Sequence, residues 1–246
     1  MFRFLGCLRD CLLREKSLEV LSLYDAIVAC SQNVVNHLAS CTPLLGKVTY
    51  IPIPQEEMRG CDLKDDGVLF NQLGLRKSKY ILSAGLIKSG KGIDFLFKAY
   101  AKYRMNKLEP LPLILVGVIK DEKLARLAKT LPGVFLIGEI DRFRLLGLIK
   151  NAGLNINVSL SEGMPRISLE ALSLQSKVIL PLGIPEFEEH CKDWVAVSYA
   201  NAEALAAQFD WALSQVISPK YPINDHYLNN VGRYYAHTFK NTLQGK

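Results

Sequence analysis

From Tyr80 onward the chain alternates short apolar runs with stretches of helical period, divided by glycine, proline and polar clusters. Strand-type runs lie at 80–84, 112–117, 134–138, 154–160, 177–181 and 194–198. Helical stretches lie at about 92–106, 121–130, 141–151, 166–175, 186–190 and 202–216. Apolar strands alternating with helices predict a parallel sheet covered on both faces. Earlier, 25–30 and 47–53 read as strands flanking a helix that Ser31 caps and that runs to about Ala39. Residues 1–20 predict a helix with Leu8, Leu12, Leu13 and Val20 inward. A last helix is predicted over 224–244, with Tyr227, Val231, Tyr234, Tyr235 and Phe239 near one stripe. The expected organisation is α/β: a short α/β segment over 1–53, then a polar linker over 54–78 with a short helix at 67–73. A complete Rossmann-type doubly wound domain follows over 79–216, with a C-terminal helix in 217–246.

Composition narrows the class. A 246-residue chain with 49% hydrophobic and 22% charged residues is that of a soluble globular protein. Nothing in it approaches the ~20 apolar residues of a membrane span. Charges interrupt the apolar start, Met1-Phe-Arg-Phe-Leu-Gly-Cys-Leu-Arg-Asp10, so no signal peptide is expected. Cysteines at 7, 11, 30, 41, 61 and 191 form no C-x-x-C pair and read as reduced thiols of a cytoplasmic protein. A net charge of +6 suits anionic ligands or an acidic membrane surface. No Lys/Arg block is interleaved with aromatics, so nucleic acid is not an expected partner.

Two loops carry candidate chemistry. The strand at 154–160 runs into Glu162-Gly-Met-Pro165, a tight turn, and Pro165 fits the first turn of the following helix. Free N–H groups at that helix start form a site for a phosphate or an oxyanion. Glu162 stands before the turn and Glu170 eight residues after it. The strand at 80–84 runs into Gly85-Leu-Ile-Lys-Ser-Gly-Lys-Gly92, whose three glycines and two lysines let backbone and cations approach a diphosphate. It lacks the Lys-Ser/Thr ending of a Walker motif. The four histidines (37, 190, 226 and 237) are scattered and no D-x-D occurs, so neither a metal site nor a histidine base is expected.

Glu162-Gly163-x-Pro165-x-x-x-x-Glu170-Ala171 resembles the E-x7-E signature of retaining GT-B glycosyltransferases, family 4 in particular. Ser159, Ser161, Lys177-Val-Ile-Leu-Pro181 and Gly183-Ile-Pro-Glu186 extend that resemblance. Lys91-Gly-Ile-Asp94 is similar to the end of the family's G-R-L…K-G-[IV]-D loop. Leu115-Val-Gly117 matches its V-G strand end, and Phe135-Leu-Ile-Gly-Glu-Ile140 its F-x-G-x-[VI] segment. Two positions depart from the pattern: Leu86 replaces an arginine, leaving Lys88 or Arg166 to supply that cation, and Asn155 replaces an aspartate.

The resemblance covers about 25–216, most strongly 80–190, and implies a retaining hexosyltransferase that needs neither metal nor cofactor. Its donor would be a nucleotide sugar, UDP-glucose or similar, and its acceptor a glycan, a protein-linked glycan or a lipid. Glu162 and Lys91 would be catalytic, with Glu162 beside the transferred sugar. Gly85, Lys88 and Lys91 would hold the diphosphate, and Gly117, Gly138 and Ile140 would line the nucleoside side. The turn at Gly163 and Pro165, with the amides of Met164, Arg166, Ile167 and Ser168, would face sugar and phosphates, and Glu170 would take the ribose hydroxyls. The family pairs two such domains across a cleft. Residues 1–53 would then be a truncated acceptor-side domain, to which the last helix crosses back. A homodimer or a partner subunit is expected to rebuild the cleft wall; the alternative is a catalytically weak donor-binding subunit that needs its partner.

Overall fold

The computed structural model describes residues 15–41, 44–56, 70–71, 74–196 and 201–244. The expectations for Cys7, Leu8, Cys11, Leu12, Leu13 and Cys61, and for most of 57–73, lie outside the described residues.

The first unit contains α1 (Glu15–Ser22), β1 (Ile27–Ala29), α2 (Gln32–Ala39) and β2 (Val48–Tyr50). Its two strands pair in parallel, Ile27 opposite Val48, over a small core of Leu21, Ile27, Leu38 and Leu44. Val20, expected inward, is 53% exposed. The stripe that packs is Leu18 and Leu21, and Val20 sits about 100° round the helix from Leu21. Ser31 is the N-cap of α2, yet its side chain makes no cap bond. The orphan N–H of Gln32 donates instead to Glu186 Oε1 (2.8 Å), which ties the first unit to the second.

The second unit alternates β3 (Ile81–Ala84), α3 (Ile93–Met105), β4 (Leu113–Val116), α4 (Glu122–Thr130), β5 (Val134–Gly138), α5 (Arg142–Asn151) and β6 (Leu154–Ile156). It continues through α6 (Arg166–Ser173), β7 (Val178–Ile179), α7 (Pro185–His190) and α8 (Ala202–Ser214). The sheet order is β5-β4-β3-β6-β7, with every pairing parallel. All four residues of β4 are buried, as a central strand covered on both faces requires. On one face α3 packs on α8, where the rings of Tyr103 and Phe209 lie 5.8 Å apart. Phe70 and Leu75, in the stretch read as a linker, are buried in this same core.

Three sequence expectations are corrected. The strand expected over 154–160 leaves the ladder after Ile156. Ser159 N–H then turns back to Asn157 Oδ1 (3.1 Å), and Leu160 N–H reaches across to the carbonyl of Gly90 (3.1 Å). The strand expected over 194–198 is, among the described residues, a 3-10 turn at Lys192–Trp194 and a single bridge from Val195 to Leu180. The single helix expected over 224–244 is a 3-10 turn, Ile223–His226, followed by α9 (Leu228–Gln244). Tyr227 is extended between them because Gln55 takes a strand-like place beside it: Gln55 N–H donates to His226 O and Leu228 N–H to Gln55 O. On α9, Val231 is buried while Tyr234 and Phe239 stay exposed.

Candidate functional site

Strand order reverses between β3 and β6, and in open parallel sheets ligands bind beyond the strand ends at that point. The loop after β3 (Gly85–Gly92) and the loop after β6 (Asn157–Pro165) meet there. Gly92 has φ +67°, and a Cβ on it would stand 2.0 Å from Val158 O, so only glycine lets the two loops touch. Gly117 serves a similar contact at the end of β4, where a Cβ would meet Gly85 O at 2.0 Å.

Between these loops lies a cavity of about 400 Å³. The second unit lines it with Ser83, Gly85, Leu86, Lys91, Asn157, Glu162 and the turn Gly163–Ile167. The first unit contributes Cys30, just past β1, and Ile53, past β2. Lys91 Nζ is ion-paired with Glu162 Oε1, and the two side chains are 27% and 16% exposed. Arg166 lines the same space, giving two cations to one carboxylate. Pro165 is the N-cap of α6 in an extended conformation, one residue before the first turn that it is expected to fit. It has no N–H to satisfy, and its carbonyl takes the N–H groups of Ser168 (3.1 Å) and Leu169 (3.3 Å). The Ser168 amide is thereby committed within the turn. The amides of Met164, Arg166 and Ile167 have no acceptor among the described residues and stand at the positive end of α6.

Of the residues singled out in the sequence, Gly85, Lys91, Glu162, Gly163, Met164, Pro165, Arg166 and Ile167 line the cavity. Lys88 is exposed and does not, so of the two residues expected to replace the missing arginine only Arg166 lines the cavity. Gly117, Gly138, Ile140, Ser168 and Glu170 also lie outside its lining. Glu170 is buried at 4% exposure, and its Oε1 is ion-paired with Arg142 at the start of α5, directly after the Gly138–Ile140 segment. Arg142 also lies 3.5 Å from Glu56. Asn155 is a structural amide: its Nδ2 donates to Ile149 O (3.0 Å) and Lys177 O (3.1 Å), which an ionised aspartate could not do.

Sequence reasoning missed Arg142, Cys30 and Ile53. A signal for Arg142 exists, since a cation in the first turn of a helix opposes the macrodipole and asks for an outside partner. Nothing local distinguishes Cys30 or Ile53 from other residues at strand ends.

A family model described as glycosyl transferases group 1 matches residues 66–227. No curated protein matches the chain. Among solved structures, a glycosyltransferase from Rickettsia africae superposes with a TM-score of 0.76 at 18% identity, over 95% of this chain and 69% of that one. Sucrose-phosphate synthase from Thermosynechococcus elongatus gives 0.73 at 17% identity, over 95% and 63%. The UDP-forming α,α-trehalose-phosphate synthase of Burkholderia xenovorans, solved with glucose-6-phosphate, gives 0.71 at 12% identity, over 93% and 63%. The chain thus spans a little under two thirds of the length of the two synthases. At these identities the likeness is one of fold, the GT-B type.

Proposed function

This chain belongs to the group 1 glycosyltransferase family, and from that premise we propose that it moves a hexosyl unit from a nucleotide sugar to an acceptor hydroxyl. We take UDP-glucose or a close analogue as donor, retention at the anomeric carbon, and no metal. The observation that carries the reading is the convergence of Lys91, Glu162, Arg166 and the open amides of Met164, Arg166 and Ile167 on one cavity at the sheet's switch point. In this reading the diphosphate meets the amides and the two cations, Glu162 faces the sugar, and the nucleoside runs over α6 to Glu170 and the Gly138–Ile140 segment. As the bond from C1 to the diphosphate oxygen breaks, the acceptor oxygen bonds to C1 from the same face. The acceptor's proton passes to the departing diphosphate. Glu162, close to C1, stabilises the positive charge that develops there.

Leu86, 40% exposed in the cavity wall, favours a second reading with less cationic neutralisation: a donor-binding subunit of weak catalysis. One set of assays separates the two. UDP should raise the melting temperature in EDTA, and the protein should release glucose from UDP-glucose. Glu162→Ala should keep UDP binding and lose turnover. Glu170→Ala should weaken UDP by about 1.5–3 kcal/mol, or ~10–150-fold. UDP binding without turnover in the unaltered chain supports the second reading. No response to UDP-, GDP- or ADP-sugars sinks both.

A further inference from the structure

A second cavity, of about 320 Å³, lies where the first unit, α7 and the turn before α9 meet. Tyr50, Tyr221 and Tyr234 give it ring walls, and Glu186, His190, Asp225 and His226 its polar groups. Pro52 lines this cavity and the next residue, Ile53, lines the first, so the chain after β2 separates the two.

The donors of Tyr221 and His226 are already spent, while Glu186 and Asp225 bring two carboxylates to the cavity. Ile53 O is an acceptor, so His226 Nδ1–H donates to it (3.1 Å) and Nε2 accepts the Tyr221 hydroxyl (3.0 Å). Burial holds the His226 pKa below the ordinary 6.5, so the ring is neutral at pH 7 and offers no positive charge. Glu186 Oε1 accepts from Gln32 N–H, while Oε2 is buried without a partner. Among the described residues no Lys or Arg lines the cavity, although the whole chain carries +6. Burial and then the Glu186 carboxylate push the Tyr50 phenol well above its usual range, with Asp225 adding to the effect, so the hydroxyl stays protonated. Among the described residues no three His, Cys, Asp or Glu side chains converge as a metal would need. The complement is a diffuse cation with its own N–H donors.

We propose that this cavity binds a small organic amine in its ammonium form, with an N–H donated to Asp225, the charge set beside the Glu186 carboxylate, and methylenes against the tyrosine rings. The site is separate from donor binding and does not depend on the catalytic reading.

The test is calorimetric titration of the whole chain with 1,4-diaminobutane against 1,4-butanediol, a neutral molecule of like shape, at matched ionic strength. The diamine should bind saturably, about tenfold or more tighter than the diol, since charge-assisted hydrogen bonds are roughly twice as strong as neutral ones. Asp225→Asn and Tyr234→Ala, both at exposed positions where folding is not at stake, should each weaken it at least about fivefold. Saturating diamine should not displace UDP. Absence of saturable binding, equal binding of the diol, unchanged affinity in both variants, or competition with UDP overturns the proposal.

Discussion

Arg142→Ala is the sharpest test of how Glu170 is held. Glu170 is a buried carboxylate whose side chain is 5% exposed, and its ion-pair partner is Arg142, 39% exposed. Fully exposed pairs contribute about 0.2–1 kcal/mol. Breaking a fully buried pair costs about 3–5 kcal/mol, because a charge is left without compensation. One buried and one part-exposed partner put this pair between those limits, near the ~1.5–3 kcal/mol of a charged hydrogen bond. For a chain of this length each kcal/mol moves the melting temperature by about 2–4 °C, so Arg142→Ala should lower it by roughly 3–12 °C. Glu170→Gln removes the charge that needs compensation. The double variant should therefore lose less than the two single losses added together, with a coupling of about 1 kcal/mol or more. Calorimetric melting of the four proteins completes the cycle. A melting temperature for Arg142→Ala within about 1 °C of the parent, or strict additivity, refutes the pairing.

Two further outcomes follow from the fold. Gly92→Ala places a side chain at positive φ and 2.0 Å from Val158 O, so it should cost more than the ~1–2 kcal/mol of the conformation alone, read as a lower denaturation midpoint. His226 has a folded pKa below its unfolded value of 6.5, so between the two the unfolded chain binds the extra proton and stability rises with pH. Acidification from pH 7 towards 5 should then destabilise the protein, and His226→Gln, whatever its own stability, should show a shallower slope over that window; equal slopes contradict the burial argument.

The chain's own pattern determined local structure. Ile81–Ala84 and Leu113–Val116 lie within two residues of their expected limits, because a strand buried on both faces is mostly apolar. Val134–Gly138, a part-exposed edge strand, is apolar up to the glycine that ends it. The turn Gly163–Pro165 was legible for the same reason, since its backbone demands are met by residue types in sequence. The early end of β6 was not: 157–160 keeps its strand-like alternation, but Leu160 bonds the Gly90 carbonyl in place of a sheet neighbour. Nor was the break at Tyr227, which depends on Gln55 far away in the chain. Only the tertiary structure set β3 beside β6, so that Lys91 meets Glu162 across 71 residues and Arg142 meets Glu170 across 28. Periodicity records which face of a segment is buried, and many strand orders bury the same faces. Side chains from separate loops meet only after one order and register are chosen, and that choice rests on packing summed over the whole sheet.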